Sequence, residues 1–418
     1  MFERGVAVVG LGYIGLPTSA ILAAHGVRVV GVDVNPDAVA AINAGSAHIV
    51  EPDLDAAVAG AVARGTLRAQ TEVPEADVFL VAVPTPFREG HQPDLTYVER
   101  ATRSIAKVLT GGEVVILEST VPPGTTRLMS AWIAEERPDL RLPHEHPDDA
   151  DVFVAHCPER VLPGKILIEL VTNDRLVGGL TTRCAERAAR LYRRFVRGKV
   201  ILTDAASAEM AKLVENSFRD VNIAFANELA AVCEHLGLDV WKIIELANQH
   251  PRVNVLQPGP GVGGHCIAVD PWFIVSAAPE QSQLIRLARE VNDGRPASVV
   301  AQVDSVAEQG ATVACLGLAF KPDVDDLRES PAVEVVHALG LTRPDLRLLV
   351  VEPYTTQLPS ALTHAGGATL CALEQALAAS DVVLLLVHHA EFVALDTDQL
   401  RGKEVVDTRG AWPDLRLR

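Results

Sequence analysis

The residue types best suited to covalent chemistry converge on Gln257–Asp270, where Cys266 follows Pro258, Gly259, Pro260, Gly261, Gly263 and Gly264. So many glycines and prolines exclude helix and regular strand and specify a tight loop that lets backbone approach a ligand. Cys266 at the end of that loop, with Asp270 close behind it, matches a nucleophilic thiol with a base or charge partner. A turn holding an inert cysteine would have the same composition, because a free thiol also packs well in a core. Lys212 and Asn216 share one helix face at i, i+4, and a cation beside an amide donor suits an oxyanion. Thr120 and Glu159 lie in Glu118–Thr125 and His156–Arg160, loops that follow apolar runs and offer polar side chains to a cleft. His144 and His146 have no further convincing ligands nearby, so no metal site is expected.

A different chemistry is written near the start. Gly10, Gly12 and Gly15 lie between the apolar run 5–9 and a helical pattern that continues to His25, and a second apolar run, Val27–Val32, ends in Asp33. In that context the glycines permit a tight turn and close approach of a pyrophosphate, which the helix N-terminus faces. Asp33 would accept hydrogen bonds from a ribose and repel a 2′-phosphate, so NAD is expected rather than NADP.

These residues need a scaffold, and the rest of the chain supplies one. Val78–Val83, Val114–Leu117 and Val152–Ala155 are short apolar runs suited to a parallel sheet, and each leads into a loop that would line a ligand cleft. Residues 138–149 read as an exposed, mobile insertion. From Ala206 to Leu236 apolar residues recur at helical spacing, ended by Gly237, and a helix so long suits a domain connector or dimer core. Residues 240–248 form a shorter helix, and 280–310 return to helix with a break at Asn292 and Asp293. A second α/β unit has strands at Thr312–Gly317, Leu346–Val351, Val382–Val387 and Glu404–Val406; it lacks the glycine fingerprint. Lys321, Arg328 and Ser330 lie in one of its loops and suit phosphate or ribose groups of a second ligand. The expected fold is α/β, two Rossmann-like doubly wound domains joined by a long central helix. The domains are 1–203 for NAD, 204–300 for a helical dimerisation domain with the Cys266 loop, and 301–418 for the second ligand.

Composition narrows the partners. A chain of 418 residues has ample core for such an architecture, and its net charge of −17 opposes nucleic acid and anionic membrane as partners. Six scattered cysteines without metal spacing read as reduced thiols, and the first residues lead into a strand rather than a secretory leader, so a cytoplasmic protein is expected. Only seven of 37 basic residues are lysine, which draws the eye to Lys212 and Lys321 as places needing a compact amine.

Taken together, the Gly10–Gly15 turn, Glu118-Ser119-Thr120, Cys157-Pro158-Glu159, Lys212 with Asn216, Gly263–Cys266 and Phe320-Lys321-Pro322 resemble the UDP-glucose/GDP-mannose dehydrogenase superfamily over nearly the whole chain. The His250–Asn254 motif and Gln257–Phe273 resemble the UDP-N-acetyl-D-mannosamine branch most. Val269 and Pro163 stand where the UDP-glucose branch tends to carry a lysine and a second acid.

The resemblance implies an NAD-dependent, four-electron oxidation of a UDP-sugar C6 alcohol to the uronate, through a thiohemiacetal and then a thioester on Cys266. It implies cofactor contacts from Gly10, Gly12, Tyr13, Ile14, Gly15, Asp33, Pro84, Thr85, Thr120 and Arg328. Substrate contacts would come from Glu159, Arg160, Val161, Lys212, Asn216, Arg252, Asn254, Gly263 and Lys321. Lys212 and Asn216 would steady the adduct's oxyanion, while Asp270, Glu159 and Thr120 would position or deprotonate water. Arg252 resembles an arginine that reaches the substrate across a homodimer interface. UDP-N-acetylglucosamine or UDP-glucose as substrate, and a catalytically inactive nucleotide-sugar-binding regulator, are the alternatives. Cell-surface polysaccharide and secondary-metabolite pathways both fit.

Overall fold

The structure is a computed structural model that describes residues 3–162, 164–264, 266–364 and 367–415. Pro163 and His265, both in motifs quoted above, lie outside the described residues. The chain divides into two compact units, one of residues 1–215 with 272–279 and the other of 216–271 with 280–418.

In the first unit, the apolar runs Val6–Val9, Val78–Val81, Val114–Leu117 and Phe153–His156 become strands buried on both faces. β1 is Val6–Val9, β2 Val29–Val32, β3 Leu67–Gln70 and β4 Val78–Val81. A small antiparallel hairpin follows, β5 Phe87–Arg88 with β6 Gln92–Pro93, and then β7 Val114–Leu117, β8 Phe153–His156, β9 Arg175–Gly179 and β10 Val200–Asp204. The eight-stranded sheet has the order β10-β9-β8-β7-β4-β1-β2-β3. Only β8 and β9 pair antiparallel, the others being parallel, and helices cover the sheet as in a doubly wound domain. The hairpin is packed by residues from later in the chain: His91 stacks on Trp272 at 4.1 Å and Phe87 meets Phe273 edge-on.

The second unit has a five-stranded parallel sheet. Its strands are β11 Thr312–Leu316, β12 Arg347–Val351, β13 Thr369–Leu370, β14 Val382–Leu385 and β15 Glu404–Asp407, in the order β13-β12-β11-β14-β15. The α/β reading with two Rossmann-like sheets and a long central helix therefore holds. β3, β9, β10 and β13 are additions to it. β9 and β10 carry Arg175, Gly178, Gly179, Thr203 and Asp204 among their apolar residues, so composition alone marks them weakly as strands.

The Ala205–Leu236 helix has 32 residues. Asp204 begins it by accepting from the Ser207 N–H, and Gly237 ends it at φ +67°, with the Leu238 N–H closing onto the Cys233 carbonyl. Residues 138–149 are mostly exposed, as the sequence suggests, yet they are tied down locally. Leu142 is buried, Arg141 pairs with Asp149 and Asp151, and His144 Nδ1 lies 2.8 Å from Ser130 Oγ. The buried Leu142 and Pro143 and a local ion-pair cluster pin a segment whose composition suggests a loose loop.

Candidate functional site

The glycine turn behaves as its sequence demands. Gly10 sits at φ +91°, and a Cβ there would lie 2.5 Å from the Ala82 carbonyl oxygen. A Cβ on Gly15 would come within 1.8 Å of the Gly10 carbonyl, whereas Gly12 faces open space. Backbone that only glycine permits thus leads into the N-terminus of the Gly15–Ala24 helix, a cradle that fits a dinucleotide pyrophosphate. Tyr13 is exposed beside it, and Ile14 occupies the helix N-cap position. Asp33, just past β2, accepts from the Leu11 N–H at 2.9 Å and from the Asn35 N–H at 2.9 Å. Its carboxylate ties the end of β2 to the glycine turn itself.

Pro84, Thr85 and Thr120 lie on neighbouring loops at the carboxyl ends of β4 and β7. The Thr85 hydroxyl donates to the Thr120 carbonyl at 2.7 Å, and the Ser119 hydroxyl donates to the Val83 carbonyl at 2.7 Å. Glu209 fastens the far end of the Thr120 loop. Its buried carboxylate accepts from the Gly124 and Thr126 N–H groups and the Thr126 hydroxyl, one turn before Lys212 on the same helix. Burial pushes the Glu209 carboxyl up, opposed by these hydrogen bonds.

Glu159 is buried, and both its oxygens are engaged. Oε1 accepts from the Arg160 N–H and Oε2 from Arg175 Nη1, each at 2.7 Å. Arg160 in turn donates to Glu215, and the chain beyond Val161 is held by Glu51, which accepts from Gly164 and Ile166 N–H groups. Lys212 is buried rather than a solvated helix residue.

In the second unit, Asn216 and Asp270 meet: the Asn216 amide donates to Asp270 Oδ2 at 2.5 Å. This bond uses one of the two N–H donors of the Asn216 amide. The Asp270 N–H donates to the Cys266 carbonyl at 2.8 Å, which places the exposed Cys266 immediately ahead of the Asp270–Ala277 helix. The preceding loop is held from below. The Gly259 N–H donates to Asn227, which bonds Asn292, and Arg295 Nε donates to the Gly259 carbonyl. Asn292 donates onward to Asp220, itself paired with Arg289.

That loop also packs on the one carrying Lys321 and Arg328. A Cβ on Gly263 would fall 2.3 Å from the Glu329 carbonyl, and one on Gly264 would fall 3.2 Å from the Phe320 ring. Lys321 Nζ lies 5.5 Å from that ring's centroid, and Arg328 pairs with Asp326. Ser330 caps the Pro331–Thr342 helix by accepting from the Ala332 N–H. Arg252 and Asn254 stand exposed on a separate surface segment after the Val240–Ala247 helix.

Sequence reasoning missed Arg175, Glu209, Glu51, Asn227 and Arg295, which act through other residues. Motif spacing does not reveal a second layer; only the fold brings these partners close.

With this geometry in place, relatives can be compared. The UDP-glucose/GDP-mannose dehydrogenase family matches through its NAD binding domain at residues 4–196, its central domain at 206–294 and its UDP binding domain at 314–414. An NDP-N-acetyl-D-galactosaminuronic acid dehydrogenase of Ralstonia nicotianae is 56% identical over 416 residues, covering 99% of this chain and 97% of the relative. The UDP-N-acetyl-D-mannosamine dehydrogenase of Escherichia coli K12 is 54% identical over 417 residues, covering 97% and 99%. Among solved structures, UDP-D-ManNAc dehydrogenase from Pyrococcus horikoshii superposes with a TM-score of 0.85 at 39% identity, covering 97% of this chain and 96% of that one. No helix among the described residues is long and apolar enough to cross a membrane. The three matched domains and the glycine turn lead to one assignment: the chain belongs to the UDP-glucose/GDP-mannose dehydrogenase family and is an NAD-dependent UDP-sugar dehydrogenase.

Proposed function

We propose that this enzyme oxidises the C6 alcohol of UDP-N-acetyl-D-mannosamine to the uronate in two successive two-electron steps, with Cys266 holding the carbon between them. The observation that carries the reading is the local order around Cys266: its carbonyl is fixed by the Asp270 N–H, and the Asp270 carboxylate is fixed by Asn216. NAD, when bound at the Gly10–Gly15 turn, supplies the two-electron acceptor for each step. Cys266 adds to the aldehyde formed first and gives a thiohemiacetal, whose oxidation leaves a thioester that water cleaves. Lys212 stabilises the oxyanion of the tetrahedral adduct, and Asn216 orients Asp270 toward the same chemistry. Glu159, Thr120 and Asp270 position and deprotonate the water. Gly12, Tyr13, Ile14, Asp33, Pro84, Thr85 and Arg328 serve the cofactor, and Arg160, Val161, Arg252, Asn254, Gly263 and Lys321 the sugar nucleotide.

The manno configuration rests on the Gln257–Phe273 wording and on relatives of that name. A galacto-configured N-acetylhexosamine is the second reading, favoured by the 56% identical relative's name. We also read the enzyme as a homodimer, because Phe218, Phe225, Val232 and Leu236 form an exposed apolar stripe on the long helix at coiled-coil spacing. The test is NADH formed per sugar consumed, with UDP-linked N-acetylmannosamine, N-acetylgalactosamine, N-acetylglucosamine and glucose offered side by side. Two NADH per sugar, fastest with the manno substrate, is the expected result; one NADH per sugar overturns the thioester route.

A further inference from the structure

Behind the loops of Thr120 and Glu159 lies a buried polar cluster that the scheme above does not use. Glu118, 2% exposed, follows β7; its Oε1 accepts from the Tyr192 hydroxyl at 2.7 Å, and its Oε2 is buried without a hydrogen-bond partner. Arg175 donates through Nη1 to Glu159, yet its Nε and Nη2 are buried without partners. Evolutionary cost aside, physics makes such orphaned atoms expensive, so a cluster that keeps three of them is a candidate for work. The charged groups acting on Glu118 are Glu159 and Arg175, with Tyr192 donating to it. The Cys157 thiol is pushed up to about 12 and the adjacent His156 imidazole down to about 3, both by burial first, so neither carries charge at neutral pH.

Two carboxyl groups around one guanidinium in a dry site leave one negative charge unbalanced when both are ionised. Such a pair holds a proton more firmly than an isolated carboxylate and titrates as a unit. We propose that Glu118 is a positioning residue for thioester hydrolysis: with Glu159 it forms a coupled carboxyl pair around Arg175, and its ionisation readies Glu159 to take the proton of the attacking water. The inference rests on the reading of Glu159 given above. While Glu118 is neutral, Glu159 alone holds the Arg175 guanidinium, and its Oε2 is occupied by that contact. Once Glu118 ionises, its charge competes with Glu159 for the guanidinium, which loosens the hold of Arg175 on Glu159 Oε2 and frees that oxygen to receive a proton. The water's O–H bond then breaks toward Glu159 as its oxygen bonds to the thioester carbon. The carbon–sulfur bond breaks with its electron pair left on Cys266, and Glu159 later returns the proton to the thiolate or to solvent. Burial, then repulsion from Glu159, pushes the Glu118 carboxyl up to about 7, against Arg175 and Tyr192, so the switch falls in the neutral range.

The direct test follows loss of the acyl adduct on Cys266 by intact-protein mass after rapid quench, as a function of pH, with UDP-N-acetylmannosamine and NAD. Wild type should lose hydrolysis on an acid limb near neutrality. Glu118→Gln keeps the shape but cannot ionise, and should lengthen the adduct's lifetime about tenfold or more at pH 8. Tyr192→Phe removes a donor that favours ionised Glu118, and should move the acid limb up by about one pH unit. KM for the sugar nucleotide should not change in either variant. An acid limb unmoved in Tyr192→Phe, or a Glu118→Gln adduct that decays like wild type at pH 8, overturns the proposal. Equal slowing at every pH, the mark of a merely structural role, also overturns it. Absence of any adduct with one NADH per sugar in wild type defeats the underlying thioester reading instead. Glu159→Gln with wild-type hydrolysis defeats the role of Glu159.

Discussion

Arg175 Nη1 lies 2.7 Å from Glu159 Oε2, and the two side chains are 3% and 7% exposed. Burial opposes the charge on Arg175, but Glu159 and its neighbours outweigh it and hold the guanidinium firmly protonated. Removing one member of such a pair strands the other in a low-dielectric site. Arg175→Met should therefore lower unfolding stability by about 3–5 kcal/mol, read from urea midpoints. Arg175→Lys should cost less, since it keeps the charge while losing the planar fork. A methionine variant as stable as wild type would mean that the pair contributes nothing to the fold.

The same pocket predicts a pH dependence of stability. The Glu118 carboxyl, ordinarily near 4.5, is pushed up to about 7 in the folded chain, chiefly by burial. Between those values the folded state keeps a proton that the unfolded chain has released, so stability falls as pH rises through the window and the penalty is complete above it. Glu118→Gln has no such proton to lose. It should gain about 2–3 kcal/mol over wild type at pH 8 and be close to neutral below pH 4. His156, pushed down by burial, tilts wild type the other way below its usual range, so the comparison must be the difference between the two proteins. A difference that stays flat from pH 4 to pH 8 would show that Glu118 keeps its ordinary acidity.

The glycine turn, the first parallel strands and the long helix are legible because each obeys a local rule. Gly10 and Gly15 tolerate no Cβ, Val6–Val9 is apolar throughout, and Gly237 alone can stop the helix at positive φ. Cys266 and Asp270 are legible as a pair for the same reason, their spacing being local. Asn216 reveals its type but not its partner, because whether its amide meets Asp270 or solvent depends on a contact 54 residues away. Arg175, Glu209 and Asn227 escape the reading altogether. Each looks like an ordinary charged or polar residue in a strand or helix, and only tertiary packing turns it inward. Residues 138–149 show a smaller gap: their exposure is legible, but a polar, proline-bearing composition hides the buried Leu142 and Pro143 that anchor them.

Asp33 offers a test of the cofactor side. Its two oxygens accept from the Leu11 and Asn35 N–H groups, so the carboxylate shapes the turn beside its proposed part in ribose recognition. Asp33→Ala should weaken NAD binding by about 1.5–3 kcal/mol, roughly ten- to a hundredfold in Kd, and should narrow the preference over NADP. Titration of both cofactors with the purified protein decides it. Unchanged discrimination would remove Asp33 from ribose recognition.

The apolar stripe on the long helix carries its own prediction. Phe218 is 70% exposed and Phe225 56%, seven residues apart, a surface that water disfavours unless a partner covers it. If the proposed homodimer forms through this stripe, replacing both with Asp should leave each chain folded and halve the mass seen by sedimentation equilibrium; a wild-type chain that already sediments at the single-chain mass defeats the dimer. A double variant with the wild-type mass would place the dimer contact elsewhere.

Cys266 separates the two oxidations. Its thiol enters the proposed route only after an aldehyde exists, so Cys266→Ala should still permit the first two-electron step. What it cannot do is tether the aldehyde as an adduct whose carbon can be oxidised again, or make a thioester for water to cleave. At most one NADH per sugar is therefore expected, with no uronate, and the first step should run backward when NADH and aldehyde are supplied. The alanine leaves the Cys266 carbonyl in place to accept from the Asp270 N–H, so the loop should keep its shape and the loss should be chemical. Two NADH per sugar from this variant would require a hydrated aldehyde as the second substrate, with Asp270 or Glu159 rather than a thiol doing the activation.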